Sequence, residues 1–177
     1  MRRRARSLLL GGLFTSVLVS GAPSAATGAD RTLTPFRIQD QFDRVHTEDE
    51  LASRAVLVLC GDRKGSRYQE QWGDRIRDLL RESDRLSTVL LLEVADLRGV
   101  PFFIKGSVKR KFPKEKSAWV LLDWKGHFAK AHSFQADRLN IALFDPAGVL
   151  VYQVGVQGMD ERVFKMLSSR IRRLPRD

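Results

Sequence analysis

Six consecutive apolar residues, Ala55-Val56-Leu57-Val58-Leu59-Cys60, lie between two polar segments of the chain. A short continuous apolar run that contains β-branched side chains is typical of a strand buried on both faces of a parallel sheet. The sequence therefore predicts a central strand at 55–60.

The residues after this strand have the period of a helix. Beyond the loop 61–67, apolar side chains recur at steps of three and four residues, which lines one face of a helix. A second apolar run follows at 88–94. Strand, helix and strand in this order predict a right-handed βαβ unit with parallel strands. The apolar face of the helix consists of Tyr68, Trp72, Ile76, Leu79 and Leu80.

The middle of the chain is less regular. We expect a partly helical stretch within 101–116, a third strand at 118–122 and a short helix at 127–134. Upstream of the central strand, the sequence predicts an extended segment at 36–38. Thr47-Glu48-Asp49-Glu50 has the spacing of a capping box and predicts a short helix that ends before residue 54.

The carboxyl-terminal part predicts a hairpin and a helix. Asp145-Pro146-Ala147-Gly148 has the composition of a turn and separates two apolar runs, 140–144 and 149–156. Asp160 then opens a last helix with an apolar stripe. The stripe consists of Phe164, Leu167, Ile171 and Leu174.

The amino terminus begins like a secretory signal. Arg2, Arg3, Arg4 and Arg6 form a positively charged start, and 8–19 is a mostly apolar run. A run of this length is too short to span a bilayer, which needs about twenty residues. Export is therefore expected, and an uncleaved amphipathic anchor is the alternative.

Small residues after the apolar run indicate where a leader would be removed. Cleavage is expected after Ala25, Ala26 or Ala29, which leaves a leader at 1–29 and one domain at 30–177. We expect the processed protein to be periplasmic or secreted, with no transmembrane anchor.

The net charge of the processed chain indicates which classes of partner to expect. Four of the 31 basic residues lie in the leader and all 21 acidic residues lie beyond it, so the processed chain carries a net charge of about +6. The chain is basic, but its charge is not concentrated as it is in a nucleic-acid binder. We expect no nucleic-acid partner.

Cys60 is the only cysteine of the chain. An exported protein meets oxidising conditions, yet this one can form neither an internal disulfide nor a Cys-x-x-Cys couple. Since Cys60 lies in an apolar run, a buried thiol is expected. A reactive thiol would need exposure and a nearby positive charge.

Three motifs in the second half of the chain occur in a distinctive order. They are Phe102-Phe103-Ile104-Lys105-Gly106-Ser107-Val108, Trp119-Val120-Leu121-Leu122-Asp123-Trp124-Lys125-Gly126 and Ala142-Leu143-Phe144-Asp145-Pro146-Ala147-Gly148. Through these motifs, the chain between residues 99 and 174 resembles YtfJ, a small family of periplasmic proteins in the redoxin branch of the thioredoxin-like superfamily. The resemblance implies an α/β, three-layer thioredoxin-like fold, with a central mixed sheet, a carboxyl-terminal β-hairpin and a helix.

The same resemblance implies a fold without its usual reaction. On the thioredoxin pattern the redox cysteines would fall near Gly65 and Tyr68, and the cis-proline at Leu139 or Asn140. The loop that holds the peroxiredoxin thiolate has no cysteine either. We therefore expect a non-catalytic binding or accessory protein of the cell envelope. The alternative is a single-cysteine thiol redox protein that uses Cys60.

The loop after the central strand is a candidate contact surface. Its side chains combine positive charge with a helix start, which could dock a small anion. The plainer interpretation is a solvated loop. The candidate residues are Arg63, Lys64, Gly65, Ser66 and Arg67.

A second candidate surface is the basic stretch, which we define as residues 105–116. Six of its twelve residues are basic and only Glu115 is acidic. Such a stretch could meet an acidic protein, an anionic lipid or an envelope polymer, although many basic stretches are solvated faces. The candidate contact residues are Lys105, Lys109, Arg110 and Lys111.

The three histidines do not have the spacing of a metal site. His127 and His132 are five residues apart, and His46 is remote in the sequence. We expect no metal and no cofactor.

Overall fold

The computed structural model describes residues 31–51 and 53–175. The expected leader at 1–29 and its cleavage sites lie outside the described residues and stay predictions. The described part has seven strands: β1 (Arg37–Gln39), β2 (Val45–Thr47), β3 (Ala55–Gly61), β4 (Val89–Asp96), β5 (Leu121–Asp123), β6 (Leu139–Phe144) and β7 (Leu150–Val156). Its α-helices are α1 (Gln69–Glu82), α2 (Lys105–Lys109), α3 (His127–Ala131) and α4 (Glu161–Arg173).

Five strands form a mixed sheet in the order β5-β4-β3-β6-β7. β3 runs parallel to β4, β4 runs parallel to β5, and β6 is antiparallel to both β3 and β7. The βαβ unit, the central position of β3 and the carboxyl-terminal hairpin are thereby confirmed. β1 and β2 form a separate antiparallel pair.

The central sheet separates two hydrophobic clusters, one on each of its faces. In β3, Leu57 and Leu59 face α1 and α4, whereas Val58 and Cys60 face α3 and the amino-terminal segment. The side chains of β3 alternate because successive residues of a strand point to opposite faces. All seven residues of β3 are buried, so the sheet is covered on both sides and the fold has three layers.

The capping box expected at Thr47 is wrong. The short helix predicted after Thr47 does form, as a 3₁₀ helix at Glu48–Leu51, but Thr47 itself ends β2. The carboxylate of Glu50 does not return to the cap, because its Oε2 lies 2.9 Å from Nδ1 of His46 on β2. A tertiary contact therefore replaces the local motif.

The third strand begins at Leu121 rather than at 118. The backbone just before it is held by a side chain instead of a sheet partner: Gln41 donates to the carbonyl of Ala118 at 2.9 Å and accepts from the amide of Val120 at 2.8 Å. As a result, residues 117–120 line a groove beside β4.

The last helix begins as predicted. The Asp160 carboxylate accepts hydrogen bonds from the amides of Arg162 and Val163, at 2.8 and 3.2 Å, and so caps α4. Leu167 and Ile171 are fully buried against α1 and the sheet. Among the described residues, no helix has the length and apolar character needed to cross a membrane.

Candidate functional site

A groove of about 1890 Å³ opens where the parallel strands end. Ligands of open α/β sheets commonly bind at the carboxyl ends of the strands. One wall is the loop after β3, through Arg63, Lys64 and Ser66. The other wall is the segment 97–120, which includes Ile104 and Lys111. Parts of the two predicted contact surfaces are thus brought together, whereas Gly65, Arg67, Lys105, Lys109 and Arg110 do not line this groove.

Asp62 organises the loop after β3. Its Oδ1 accepts hydrogen bonds from the amides of Lys64 and Gly65, at 3.0 and 2.9 Å, and its Oδ2 accepts one from the amide of Asp137 at 2.6 Å. Partial burial works to raise the pKa of Asp62, but these amide hydrogen bonds outweigh it and lower the pKa below its usual value. The carboxylate therefore connects the loop to the segment before β6. No local sequence pattern marks this role of Asp62, because Asp137 is 75 residues away along the chain.

Gly65 lies against the start of β6. A Cβ at this position would stand 2.0 Å from the carbonyl oxygen of Arg138 and 2.8 Å from the amide nitrogen of Leu139. Only a glycine allows this approach without a shift of the backbone. Position 65, near which the resemblance would place a redox cysteine, therefore has no room for a side chain.

The charge of the loop is already partly neutralised within the chain. Lys64 Nζ lies 2.7 Å from a carboxylate oxygen of Asp137, and the Asp62 carboxylate occupies the amides at the helix start. Arg67 lies in a smaller pocket with Tyr68 and Gln157. An added anion would meet these carboxylates, so the loop geometry favours a contact surface over a small-anion site.

The side chain of Cys60 is buried in the core. It is 1% exposed and packs on the face of the sheet that is covered by α3. Burial raises the pKa of the Cys60 thiol well above its usual value, and the negative charges of Asp96 and Asp123 raise it further. A reactive cysteine needs exposure and a lowered pKa. The expected buried thiol is confirmed.

The carboxylates of Asp96 and Asp123 stand at the ends of neighbouring strands, as registered partners of β4 and β5. Asp96 is held by the guanidinium of Arg98, with Nε at 2.9 and 3.0 Å from its two oxygens. Asp123 accepts hydrogen bonds from the amides of His127 and Ala129, at 3.0 and 3.1 Å, and so caps α3. Both carboxylates are committed to structural partners, which leaves neither as a general base.

Arg98 is positioned by a glycine. Gly126 has a φ of 67° and lies so close to Arg98 that a Cβ would stand 1.8 Å from its Cδ. The positive φ and the close approach both require glycine. The sequence signal for this cluster is an acidic residue at the end of each of two apolar strands, although the sequence alone does not show that the two would meet.

The basic stretch is partly neutralised and partly free. Lys109 forms an ion pair with Asp43 in the turn between β1 and β2, and Lys105 Nζ lies 4.8 Å from the ring centroid of Trp124. Arg110 donates to the hydroxyl of Ser107 at 2.9 Å. Lys111 has no carboxylate within ion-pair distance in the described ranges 31–51 and 53–175.

Two histidines make hydrogen bonds within the folded structure. His46 lies between the carboxylates of Asp40 and Glu50, at 3.0 and 2.9 Å, and stacks on Trp119 with 4.2 Å between ring centroids. His132 Nδ1 lies 2.9 Å from the carbonyl oxygen of Phe128, and its Nε2 accepts from a backbone amide. No group of three or more potential metal ligands was found among the described residues.

Comparison with known proteins finds similarity at the level of structure. No family model matches the sequence, and no curated protein matches it. A proposed thiol:disulfide interchange protein DsbE from Chlorobium tepidum superimposes with a TM-score of 0.58 at 14% identity, over 80% of this chain and 96% of the other.

Two further structures agree. The exposed lipoprotein thioredoxin of Streptococcus pneumoniae strain TIGR4 has a TM-score of 0.54 at 13% identity, over 77% of this chain and 98% of that one. BsSco, a member of the Sco family of cytochrome c oxidase assembly proteins, has a TM-score of 0.52 at 12% identity, over 84% and 98%. The chain has a thioredoxin-like fold. At these identities the likeness shows the fold alone, so function has to come from the site.

Proposed function

We propose that this protein is a non-catalytic, thioredoxin-like binding protein of the cell envelope, which holds a segment of a partner protein in the groove at the ends of β3 and β4. One observation carries the proposal. On the thioredoxin resemblance the redox pair would fall near Gly65 and Tyr68, neither of which is a cysteine, and the only thiol of the chain is buried in the central strand β3 with a raised pKa. No observation favours the alternative, a thiol redox protein that uses Cys60.

The size and charge of the groove favour a protein segment as its occupant. Pockets for small ligands have volumes of about 300–1000 Å³, and this groove is larger. Its lining also carries charges of both signs, which does not select a small anion. The lining includes the acidic Asp62, Glu70, Asp74, Glu93, Asp96, Glu115 and Asp137, and the basic Arg63, Lys64, Arg77, Arg98, Lys111 and Lys114.

The edge of the sheet offers backbone groups to such a segment. β5 pairs with β4 only over Val94–Asp96, so the first half of β4 pairs with β3 alone among the described strands. Leu90, Leu91 and Glu93, which precede the stretch paired with β5, line the groove. Extended peptides commonly bind by adding a strand to such an edge.

The proposed location in the cell envelope is based on the leader at 1–29, which has an arginine-rich start, a short apolar run and small residues. It agrees with the resemblance to the periplasmic YtfJ proteins. Cleavage at Ala25, Ala26 or Ala29 predicts a processed protein that begins within a few residues of Asp30. Amino-terminal sequencing of the exported protein checks this, and a protein that still begins at Met1 would contradict it.

The test of the binding function uses a photo-crosslinking amino acid at Ser66, an exposed residue of the groove wall. The matched control places it at Ser87, which is also exposed but lies before β4 and outside the groove. We expect a discrete adduct with an envelope protein from position 66 and none from position 87. Equal labelling from both positions would contradict the groove as the binding site.

The absence of catalysis is tested separately. Wild type and Cys60→Ser are compared for reduction of insulin disulfides with dithiothreitol as the electron donor. We expect both proteins to match the rate with dithiothreitol alone, because the thiol is buried. Turnover by wild type that Cys60→Ser abolishes would establish the redox alternative instead.

A further inference from the structure

Two aromatic side chains stand out from the surface beside the groove. Phe102 is 82% exposed and Phe103 is 75% exposed, and their rings contact each other edge to face with 5.9 Å between centroids. Ile104, the next residue, is 38% exposed. Other exposed large apolar side chains of the described part, such as Leu86 and Met166, are not adjacent in sequence. Contiguous exposed apolar residues indicate an interaction site, whereas isolated ones are normal.

These aromatic residues lead directly into the basic stretch. Pro101 precedes a 3₁₀ turn at Phe102–Ile104, which continues into α2. We define the tip as residues 102–116. Between residues 97 and 122 the only acidic residue is Glu115, and seven residues are basic. The tip therefore combines exposed aromatic rings with a strong excess of positive charge.

We propose that the tip docks the protein on an anionic phospholipid bilayer, with Phe102 and Phe103 in the interface and the lysines of the basic stretch against the headgroups. Interfacial binding combines buried apolar area with attraction to anionic lipids. Long lysine side chains can place their stems on apolar surface while the ammonium groups reach the headgroups. This surface shares Ile104 and Lys111 with the groove wall, but Phe102 and Phe103 do not line the groove, so docking through them does not depend on it.

A bilayer fits the tip better than a folded acidic protein does. The two rings project outward at right angles to each other, with an interplanar angle of 84°. A protein partner would have to supply a rigid pocket for each ring, together with acidic groups for the cations around them. A fluid interface accepts both rings without a matched pocket. The charge around the rings is complementary to an anionic surface.

The base of the tip is held in place, so that docking would orient the whole domain. Lys109 pairs with Asp43, and Gln41 donates to the carbonyl oxygen of Pro113 at 3.3 Å. Both anchors lie in the turn between β1 and β2. Because Ile104 and Lys111 also line the groove, docking would bring the groove close to the bilayer.

The experiment measures partition of the purified exported protein onto vesicles of phosphatidylcholine with phosphatidylglycerol, and onto vesicles of phosphatidylcholine alone. We expect binding to the anionic vesicles only, with weaker binding at high salt. The double variant Phe102→Ser, Phe103→Ser should lower the partition coefficient by about 100-fold, since burying one phenylalanine contributes about tenfold. Leu86→Ser, an exposed apolar side chain away from the tip, should leave it unchanged.

The contribution of positive charge to vesicle binding is tested with two double variants that remove the same charge. Lys111→Gln with Lys116→Gln should lower the partition coefficient by about 25-fold, since each lysine near an anionic surface contributes about fivefold. Arg162→Gln with Lys165→Gln removes the same charge from exposed positions of α4 and should change it little. Every variant keeps the same amino terminus, so binding through a retained leader would persist in all of them.

A second measurement does not depend on the phenylalanine variants. A nitroxide attached through Ser107→Cys in α2 should become accessible to a lipid-soluble relaxant on anionic vesicles, whereas one attached through Ser87→Cys should not. The proposal is overturned if anionic vesicles do not bind the protein, or if the Phe102, Phe103 variant binds as wild type does. These outcomes leave the crosslink from Ser66 unaffected, so the proposed groove function is tested independently.

Discussion

Replacing Gly65 by alanine should destabilise the protein by about 2–4 kcal/mol. The new Cβ would stand 2.0 Å from the carbonyl oxygen of Arg138 and 2.3 Å from its carbonyl carbon. Non-bonded heavy atoms with a carbon partner pack at about 3.5 Å. The loop after β3 and the start of β6 must therefore move apart by about 1.5 Å.

This displacement acts on contacts that the structure shows at the same place. Asp62 would lose its 2.6 Å hydrogen bond from the amide of Asp137, and the pairing of Gly61 with Leu139 would be strained. Overpacking alone costs about 1–3 kcal/mol, and a hydrogen bond to a charged group contributes about 1.5–3 kcal/mol. Partial relaxation of the loop keeps the expected total below the sum of these values.

The assay is urea unfolding monitored by tryptophan fluorescence. Trp72 of α1 is a suitable probe because it is buried and packs against Phe164 of α4. With a slope of about 1.5–2 kcal/mol per molar urea, the midpoint should fall by about 1–2.7 M. Gly158→Ala is the matched control, because a Cβ there has no neighbour within 4 Å. Equal midpoints for Gly65→Ala and Gly158→Ala would refute the close approach. The same clash applies to a cysteine at 65.

Three further predictions follow from buried groups. Native Cys60 should react with iodoacetamide at least about 1000-fold more slowly than in urea, because exposing it requires unfolding of several kcal/mol, and labelling at the unfolded rate would contradict its burial. Burial lowers the pKa of His132 below the usual 6.5, so the unfolded chain binds a proton at a higher pH than the folded one. Stability should therefore fall as the pH drops through about 6.5, and His132→Gln should flatten this dependence in urea titrations; an unchanged slope would show that His132 is not responsible. Arg85 is buried and donates to the carbonyl oxygens of Arg172, Leu174 and Pro175 at the end of α4, at 2.8–3.2 Å. Arg85→Met should cost about 2–4 kcal/mol in urea unfolding, whereas Arg81→Met, which breaks only an exposed ion pair, should cost less than about 0.5 kcal/mol, and equal costs would refute the role of Arg85 as a cap.

The elements with a strong period could be predicted from the sequence. β3, α1, β4, the hairpin of β6 and β7, and α4 all carry an apolar run or stripe, because each must bury one or both faces. The burial of Cys60 follows from the same run. The weakest predictions fell where a side chain from far along the chain replaced a local partner, as Gln41 does before β5 and His46 does beside Glu50.

The sequence indicated which segments could belong to the candidate site, but not how they come together. The loop 61–67 and the basic stretch were both recognisable from their charge, but which of their residues share a groove depends on how the sheet places them. Asp62 has no local signal of its importance, since its decisive hydrogen bond reaches Asp137, 75 residues away in sequence.

The amino-acid sequence alone is enough to predict the order of the five central strands with α1 and α4, the lack of a cysteine pair and the basic character of the chain. These properties depend on composition and on contacts between near neighbours. The folded structure was needed to establish that Gly65 lies against Arg138, that Asp96 is paired in register with Asp123, and that Phe102 and Phe103 are exposed. These features arise from strand register and from packing between distant segments. A pattern of residue types does not specify them, because the same pattern is compatible with several partners for each surface.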